Sequence, residues 1–286
     1  MNSPTDGAAV MCRRMHEGDI PAAHALSQAV HWPHRPQDWQ FVLRLGTGFV
    51  AEQDGAVIGT GLCWKQGERH ASLGMIIVSP DHQGKGIGGR LMHLVLEELG
   101  GRCTLLNATP AGQPLYERLG FKAIGTLCQH QGTLASIPPV VPAGGGRVRL
   151  AQAGDLPAVV ALANRATGME RGAPVRALAE VAEVAVLERD GALLGFSIMR
   201  RFGRGHVIGP LVAPDLDGAK ALVAHWSAPY AGSFVRIDIN GASGLGAWLE
   251  QAGLAQVDTG VIMARNGVPP EDGAVRQFAI INQALC

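Results

Sequence analysis

A glycine-rich turn between an apolar run and a helical pattern is the part of this sequence best suited to bind a charged ligand. The turn contains Gln83, Gly84, Lys85, Gly86, Ile87, Gly88, Gly89 and Arg90. Apolar residues 73–78 before it predict a buried strand, and apolar residues recur at helical spacing over 87–99 after it. The first N–H groups of a helix lack partners within the helix and carry partial positive charge, and glycine lets an anion approach them closely. The sequence therefore predicts a phosphate-binding site at this turn.

Two classes of phosphate-bearing ligand fit the turn. Gly84, Gly86 and Gly89 match the Gly-x-Gly-x-x-Gly pattern of dinucleotide-binding proteins. That class needs an acidic residue at the end of the following strand to hold a ribose, whereas the predicted strand 103–106 ends at Asn107. Gln83, Gly86 and Gly88 also match Gln-x-x-Gly-x-Gly, and the wider sequence favours this second pattern.

The second pattern is followed along the chain by Pro114-Leu115-Tyr116-Glu117-Arg118-Leu119-Gly120-Phe121. Together the two segments resemble the acyl-CoA loop and the Tyr-x-x-x-Gly-Phe segment of the GNAT superfamily of N-acetyltransferases. The resemblance implies that residues 83–89 hold the pyrophosphate of acetyl-CoA through their backbone, with added charge from Lys85 or Arg90. It also implies that the backbone of Ile76, Ile77 and Val78 pairs with the pantetheine arm, and that Asn107 lies near cofactor or substrate. Lys85 and Arg90 are equally consistent with solvated loop charges, and Asn107 with a cap on the next turn.

Tyr116 is the candidate catalytic residue. In the family this tyrosine points at the coenzyme sulfur and protonates the departing thiolate, and a tyrosine with an ordinary pKa is protonated at neutral pH. The alternative is a half-buried helix tyrosine that packs on the sheet. Many relatives carry a glutamate on the strand before the loop as general base, but here those positions are Gly74 and Met75.

Residues 31–39 are the second candidate for chemistry. His31, Trp32, His34 and Asp38 lie between the first predicted helix and the second strand, where the family usually covers the acceptor pocket. A histidine there could remove a proton near neutral pH, and the tryptophans could form aromatic walls. The alternative is a proline-punctuated loop whose tryptophans are anchored in the core. His-x-x-His on a loop lacks further metal ligands nearby, so no metal is expected.

The composition bounds the class of protein. The chain has 286 residues, no formal net charge, 47% hydrophobic and 17% charged residues, and five widely spaced cysteines. We therefore expect two packed domains, no nucleic-acid or membrane partner, and no disulfide framework. The N-terminal residues 1–6 lack the pattern of a signal peptide, and we expect a cytoplasmic monomer or homodimer.

An internal repeat divides the chain. Residues 14–21 parallel 150–157, residues 52–59 parallel 188–195, and two further matches follow in the same order. The sequence predicts an α/β fold with a mixed sheet, built as two tandem GNAT-like domains: 1–135 with the acetyl-CoA site, 136–146 as a Pro/Gly-rich linker, and 147–286 as a degenerate copy. In the second copy the loop aligns with Asp217-Gly218-Ala219-Lys220-Ala221-Leu222-Val223, and Tyr116 aligns with Leu249.

Asp238, on an apolar strand of the second copy, either contacts an amine substrate or pairs with Arg236 or another arginine. The sequence thus predicts an acetyl-CoA-dependent N-acetyltransferase in which a small-molecule amine attacks the thioester directly. A non-catalytic acyl-CoA-binding sensor is the alternative.

Overall fold

The structure, a computed structural model, describes residues 9–142, 144–270 and 272–286. It divides into two compact units. The first comprises the chain up to Trp64 together with Leu73–Gly100, and the second comprises Lys65–Ser72 and Gly101–Cys286. Residues 1–6, for which we predicted no signal peptide, lie outside the described residues.

The first unit is an antiparallel sheet packed against helices. Its strands lie in the order β1-β2-β3-β4. The elements are β1 (Met11–Arg14), α1 (Ile20–Ala29), α2 (Pro36–Leu45), β2 (Thr47–Gln53), β3 (Ala56–Gln66), β4 (His70–Val78) and α3 (Ile87–Leu99), of which β3 and β4 also carry residues of the second unit. The apolar face of α3 lies over two glycines of β3, because a Cβ at Gly59 would stand 3.1 Å from the Leu91 side chain. Leu91, Val95 and Leu99 are fully buried there.

The second unit contains a larger mixed sheet. Its strand order is β5-β12-β6-β11-β13-β10-β9-β8-β7. The elements are β5 (Cys103–Ala108), α4 (Gln113–Arg118), β6 (Lys122–Thr133), β7 (Arg147–Leu150), α5 (Leu156–Thr167), α6 (Gly172–Ala179), β8 (Glu183–Arg189), β9 (Ala192–Phe202), β10 (Gly205–Ala213), α7 (Leu216–Tyr230), β11 (Phe234–Asn240), α8 (Gly246–Gln251), β12 (Ala255–Arg265) and β13 (Arg276–Ala279). Trp226, Leu249, Leu254, Ile237 and Ile239 are members of its main apolar core. The predicted α/β fold with a mixed sheet is confirmed.

The sequence repeat is visible in matching ion-pair clusters. Arg13 bonds Asp19 at 2.8 Å and donates from Nε to Glu52 at 3.0 Å. Arg149 contacts Asp155 at 2.6 Å and Glu188 at 2.5 Å with the corresponding groups. In both clusters the arginine guanidinium lowers the pKa of the aspartate below its usual range. The two halves of the sequence therefore fold alike at their first strands.

The strand after the short helix is exchanged between the two repeats. β12 pairs antiparallel with β5, from Val261↔Ala108 to Arg265↔Thr104. β6 pairs antiparallel with β11, and β6 and β12 pair with each other. Each repeat thus supplies one strand that pairs with a strand of the other repeat. Neither compact unit ends at the predicted linker 136–146. The boundaries of the compact units thus differ from those of the sequence repeat, and the division into 1–135 and 147–286 stays a prediction.

None of the helices in the described part of the chain is long and apolar enough to cross a membrane.

Candidate active site

The predicted phosphate turn lies in the first unit, between β4 and the start of α3. Gly84 and Gly86 have φ angles of 75° and 78°, and Gly86 is the residue that caps α3. A Cβ at either position would meet open space, so the glycines are required by the left-handed backbone rather than by packing. They form the turn that exposes the first N–H groups of α3, where an anion is favoured.

The side chains of the turn bond to nearby backbone. Gln83 donates from Nε2 to the carbonyl of Val78 at 3.1 Å, which closes the turn on the end of β4. Lys85 donates to the carbonyl of Asp81 at 3.2 Å, and Arg90 to that of Val10 at 2.8 Å. Both cations are exposed, so each can still place positive charge beside an anion.

β4 changes direction before it reaches the turn. Its parallel ladder with β5 runs from His70↔Cys103 to Ser72↔Leu105, and among the described residues it continues no further, although both strands do. Met75 then has a φ of 53°, a strained conformation for a residue with a side chain. Its carbonyl accepts a hydrogen bond from the Thr60 hydroxyl at 2.8 Å. The backbone of residues 76–78 is thus left out of the ladder with β5.

Tyr116 lies on α4 in the second unit and is only 8% exposed. Its ring packs edge-on against Phe121, with centroids 6.1 Å apart. Burial raises the pKa of Tyr116 to about 12. Within the described residues no group hydrogen-bonds its hydroxyl, so a protonated donor is left available to a ligand.

The segment 31–39 lies in the first unit and forms an aromatic cluster. The His34 ring lies 5.9 Å from Trp32 and 6.3 Å from Trp39, centroid to centroid. Trp39 is fully buried and donates to the Ser27 hydroxyl at 3.2 Å, whereas Trp32 and His34 are partly exposed. The structure therefore anchors one tryptophan in the core and leaves a half-buried aromatic surface beside it.

Asp38 and His31 have local roles in this segment. Asp38 is buried, accepts the backbone N–H of Arg35 at 2.9 Å and pairs with the Arg35 guanidinium at 2.7 Å, so it caps α2. His31 is exposed, with a φ of 61° at the end of the turn after α1. Neither residue has the surroundings of a dedicated general base.

Asn107 and Asp238 both lie in the second unit. Asn107 donates from Nδ2 to the carbonyl of Gln283 at 2.9 Å. Asp238 is 1% exposed and pairs with Arg236 at 2.8 Å, the ion pair that the sequence offered as its alternative role. Gln283 was missed by sequence reasoning, because only long-range pairing brings residues 276–286 to this place.

The second repeat has lost the phosphate turn altogether. α7 begins at Leu216, directly after Pro214 and Asp215, and the Asp215 carboxylate accepts the N–H of Gly218 at 2.7 Å. Ala219, Leu222 and Val223, which we aligned with the loop, instead lie fully buried inside α7. A carboxylate of the chain itself thus occupies this helix N-terminus.

In the second repeat, β13 also joins the sheet where the pairing of β10 with β11 ends. β10 pairs with β11 from His206↔Val235 to Ile208↔Ile237, as β4 pairs with β5. Beyond these pairs β13 joins the sheet, with Leu211↔Ala279 on β10 and Ile239↔Ala279 on β11. The backbone that corresponds to residues 76–78 is therefore already hydrogen-bonded.

Within the described residues, no group of three or more His, Cys, Asp or Glu side chains is placed to hold a metal ion.

Comparison with known proteins agrees with this geometry. Two sequence profiles for the acetyltransferase (GNAT) domain match the chain, over residues 44–123 and 159–279. The uncharacterized N-acetyltransferase YitH of Bacillus subtilis (strain 168) is 24% identical over 279 residues, which are 95% of this chain and 97% of that protein.

Solved structures share the fold over nearly the whole chain. A protein from Pyrococcus horikoshii is similar with a TM-score of 0.80 and 19% identity, covering 100% of this chain and 98% of its own. A tandem GNAT protein from the clavulanic acid biosynthesis pathway gives a TM-score of 0.66 at 17% identity, covering 92% and 100%.

Proposed function

Since this chain belongs to the GNAT family of acetyltransferases, we propose that it is an N-acetyltransferase that uses acetyl-CoA and a small-molecule amine. The observation that carries the proposal is the turn over residues 83–89, where Gly84 and Gly86 in the left-handed conformation lead into the N-terminus of α3. Such a turn suits a pyrophosphate, because backbone N–H groups and the helix dipole both favour negative charge there.

In the proposed reaction the amine nitrogen attacks the carbonyl carbon of the acetyl thioester. The new C–N bond forms, the C–S bond breaks, and the electron pair leaves on sulfur. Tyr116 donates its phenolic proton to the thiolate, and solvent returns a proton to the tyrosine. The amine loses its extra proton to water, because the usual strand glutamate is replaced by Gly74 or Met75. The products are the N-acetylated amine and free CoA.

The protonation state of Tyr116 supports this role. A buried tyrosine with a pKa of about 12 remains neutral at any pH at which an amine is acetylated. A CoA thiol has a pKa of roughly 8.5, so proton transfer from Tyr116 to a free thiolate is uphill. The proton transfer assists while the C–S bond is breaking, as negative charge develops on the sulfur. We therefore expect a modest gain of about 10²-fold from Tyr116.

We further propose that each chain has one acetyl-CoA site, in the first repeat. In the second repeat, Asp215 caps α7 and β13 pairs with the strands that would otherwise receive pantetheine. Either feature alone would disfavour the coenzyme. The second repeat contributes instead strand β12, which pairs with β5.

The direct test combines binding and turnover. The purified protein should be stabilised against thermal unfolding by acetyl-CoA and not by NAD; a ligand at 100 times its Kd adds about 2.7 kcal/mol. Incubation with acetyl-CoA and a panel of primary amines should release free CoA thiol and give acetylated amine by mass spectrometry. Stabilisation without release of thiol for any amine would favour the acyl-CoA sensor. Stabilisation by NAD alone would overturn the proposed function.

A further inference from the structure

One face of the sheet in the second unit is polar at its centre. Direct cross-strand partners lie on the same face of an antiparallel pair. Gln129 of β6 is opposite both Asp258 of β12 and Asp238 of β11, and Gln131 is opposite Arg236. These residues, together with Asn107 of β5 and Gln283 above them, form what we call the central polar face.

The opposite face of β6 and β11 lies against the apolar core. Ile237 and Ile239 of β11 belong to the main core, and Cys128 of β6 packs against it. His130, opposite Ile237, is 1% exposed and bonds the Leu254 carbonyl through Nδ1 at 3.0 Å. The side chains of Gln129 and Gln131 are therefore on the side of the sheet away from this core.

Side-chain amides form a chain across the central polar face. Gln283 donates to Gln129 Oε1 at 3.3 Å, and Gln129 donates to Gln131 Oε1 at 3.1 Å. Asn107 donates to the carbonyl of Gln283 at 2.9 Å. Among the described residues, Asn107 Oδ1, Gln283 Oε1 and Gln131 Nε2 have no partner. These side chains are partly exposed, so acceptors and a donor remain open at this surface.

Gln283 is held in place by a buried anchor. Arg171 is 1% exposed and donates to the carbonyl of Leu285 at 2.9 Å. Asn282 accepts the N–H of Leu285 at 2.8 Å, which fixes the turn on both sides of Gln283. The amide of Gln283 is thus positioned before any ligand arrives, which reduces the entropic cost of binding.

Of the two carboxylates on the central polar face, only one is exposed. Asp238 and Arg236 are 1% and 12% exposed and neutralise each other at 2.8 Å. Asp258 lies opposite Gln129 and is exposed, with one oxygen accepting the N–H of Thr259 at 2.8 Å. A ligand on the face therefore meets amides beside a single available negative charge.

We propose that the central polar face binds the acceptor, and that the acceptor is a polyhydroxylated amine of the amino-sugar type; the assignment of this ligand as acceptor rests on the proposed function. A hydroxyl both donates and accepts, and a primary amide offers both groups, so adjacent hydroxyls match the open positions of Asn107, Gln131 and Gln283. A second amino group suits Asp258. Alkyl and aryl amines would leave these polar groups without partners, and Asp258 repels the carboxylate of an amino acid.

The face also adjoins the catalytic segment along the chain. Asn107 is in the last two residues of β5, and α4, which carries Tyr116, begins at Gln113. β12, which carries Asp258, pairs with the same end of β5 through Val261↔Ala108. The second repeat therefore supplies Asp258 and Gln283 to the acceptor, although it binds no coenzyme in this account.

The test compares amines and matched glutamine variants. With acetyl-CoA, an amino sugar should give a kcat/KM at least about 100-fold above that of a linear alkylamine or aniline. Gln131→Leu and Gln283→Leu should each raise KM for the amino sugar about fivefold to tenfold, as loss of one or two hydrogen bonds predicts, with acetyl-CoA affinity unchanged. Gln256→Leu is the control, since Gln256 is exposed on β12 and pairs with His130 rather than with the polar face. It should change neither constant.

The outcomes separate this proposal from the proposed function. Preference for alkyl or aryl amines, or unchanged KM values in both glutamine variants, would overturn the polar face as acceptor site while leaving acetyl transfer intact. If no amine is acetylated, the proposed function fails. Calorimetry with the amino sugar alone then decides: binding weakened by Gln131→Leu would keep the ligand class, and no binding would overturn it.

Discussion

Leu249 occupies the place in the second repeat that Tyr116 occupies in the first. The carbonyl of Tyr116 accepts the N–H of Phe121 at 3.1 Å, and the carbonyl of Leu249 accepts that of Leu254 at 2.9 Å. Both side chains are buried, but only Tyr116 carries an aromatic ring with a hydroxyl group. That hydroxyl is what the proposed mechanism requires.

Tyr116→Phe should therefore lower activity and leave the fold intact. The hydroxyl has no partner among the described residues, so the melting temperature should hardly change. Acetyl-CoA affinity should persist while kcat falls about 10²-fold, because the proton is needed only as the C–S bond breaks. Tyr230→Phe is the control, since Tyr230 bonds Glu183 in the second repeat. An unchanged kcat under conditions where chemistry limits the rate would make Tyr116 structural.

The chain contains two tyrosines, and both should titrate late. Burial raises the pKa of Tyr116 and that of Tyr230 to about 12. Because the folded-state pKa lies above the unfolded value of 10.0, the stability from the neutral side chain is complete below that pH and is lost as pH rises toward 12. Ultraviolet absorbance of tyrosinate in the folded protein should show no ionisation near pH 10. An ionisation there that Tyr116→Phe removes would contradict the burial of this side chain.

Gly86→Ala should abolish acetyl-CoA binding and reduce the stability of the fold only slightly. Gly86 and Gly55 have φ angles of 78° and 76°, and a Cβ at either would meet open space. Alanine at either position should cost about 1 kcal/mol of backbone strain. Only Gly86 lies at the proposed pyrophosphate site, so Gly55→Ala should keep full affinity by calorimetry. Equal affinities for the two variants would mean that the phosphate site is elsewhere.

Asp38→Asn should affect stability and not catalysis. The carboxylate caps α2 and pairs with Arg35, so its loss should lower the free energy of unfolding by about 1–2 kcal/mol. Gln37→Ala, at an exposed neighbouring position, is the control for the helix start. Denaturant unfolding measures the first effect and steady-state kinetics the second. A large fall in kcat with unchanged stability would instead give Asp38 a role in the reaction.

The sequence predicts what depends on local pattern. The turn at 83–89 and its helix follow from glycines beside a helical apolar period, and the repeat follows from aligned segments such as 52–59 and 188–195. Strand exchange depends on pairing between residues more than a hundred positions apart, as for Val261 and Ala108, and no local pattern encodes it. The same holds for β13 and Gln283. Asp38 shows another limit, since a capping carboxylate and a catalytic one have the same residue type.

The alternation of β6 is a sequence signal for the central polar face. Gln129 and Gln131 flank the buried His130, a period of two with polar residues on one face. Read beside Asp238 on another strand, it would have indicated a polar sheet face. Which strands adjoin that face could be known only from the pairing.

Titration calorimetry with a non-reactive acetyl-CoA analogue tests the central claim most directly. We expect one molecule bound per chain, with binding lost in Gly86→Ala and retained in Gly55→Ala. A stoichiometry near two would show that the second repeat still binds coenzyme despite Asp215 and β13. No binding at all by the wild-type protein would contradict the assignment of the turn at residues 83–89.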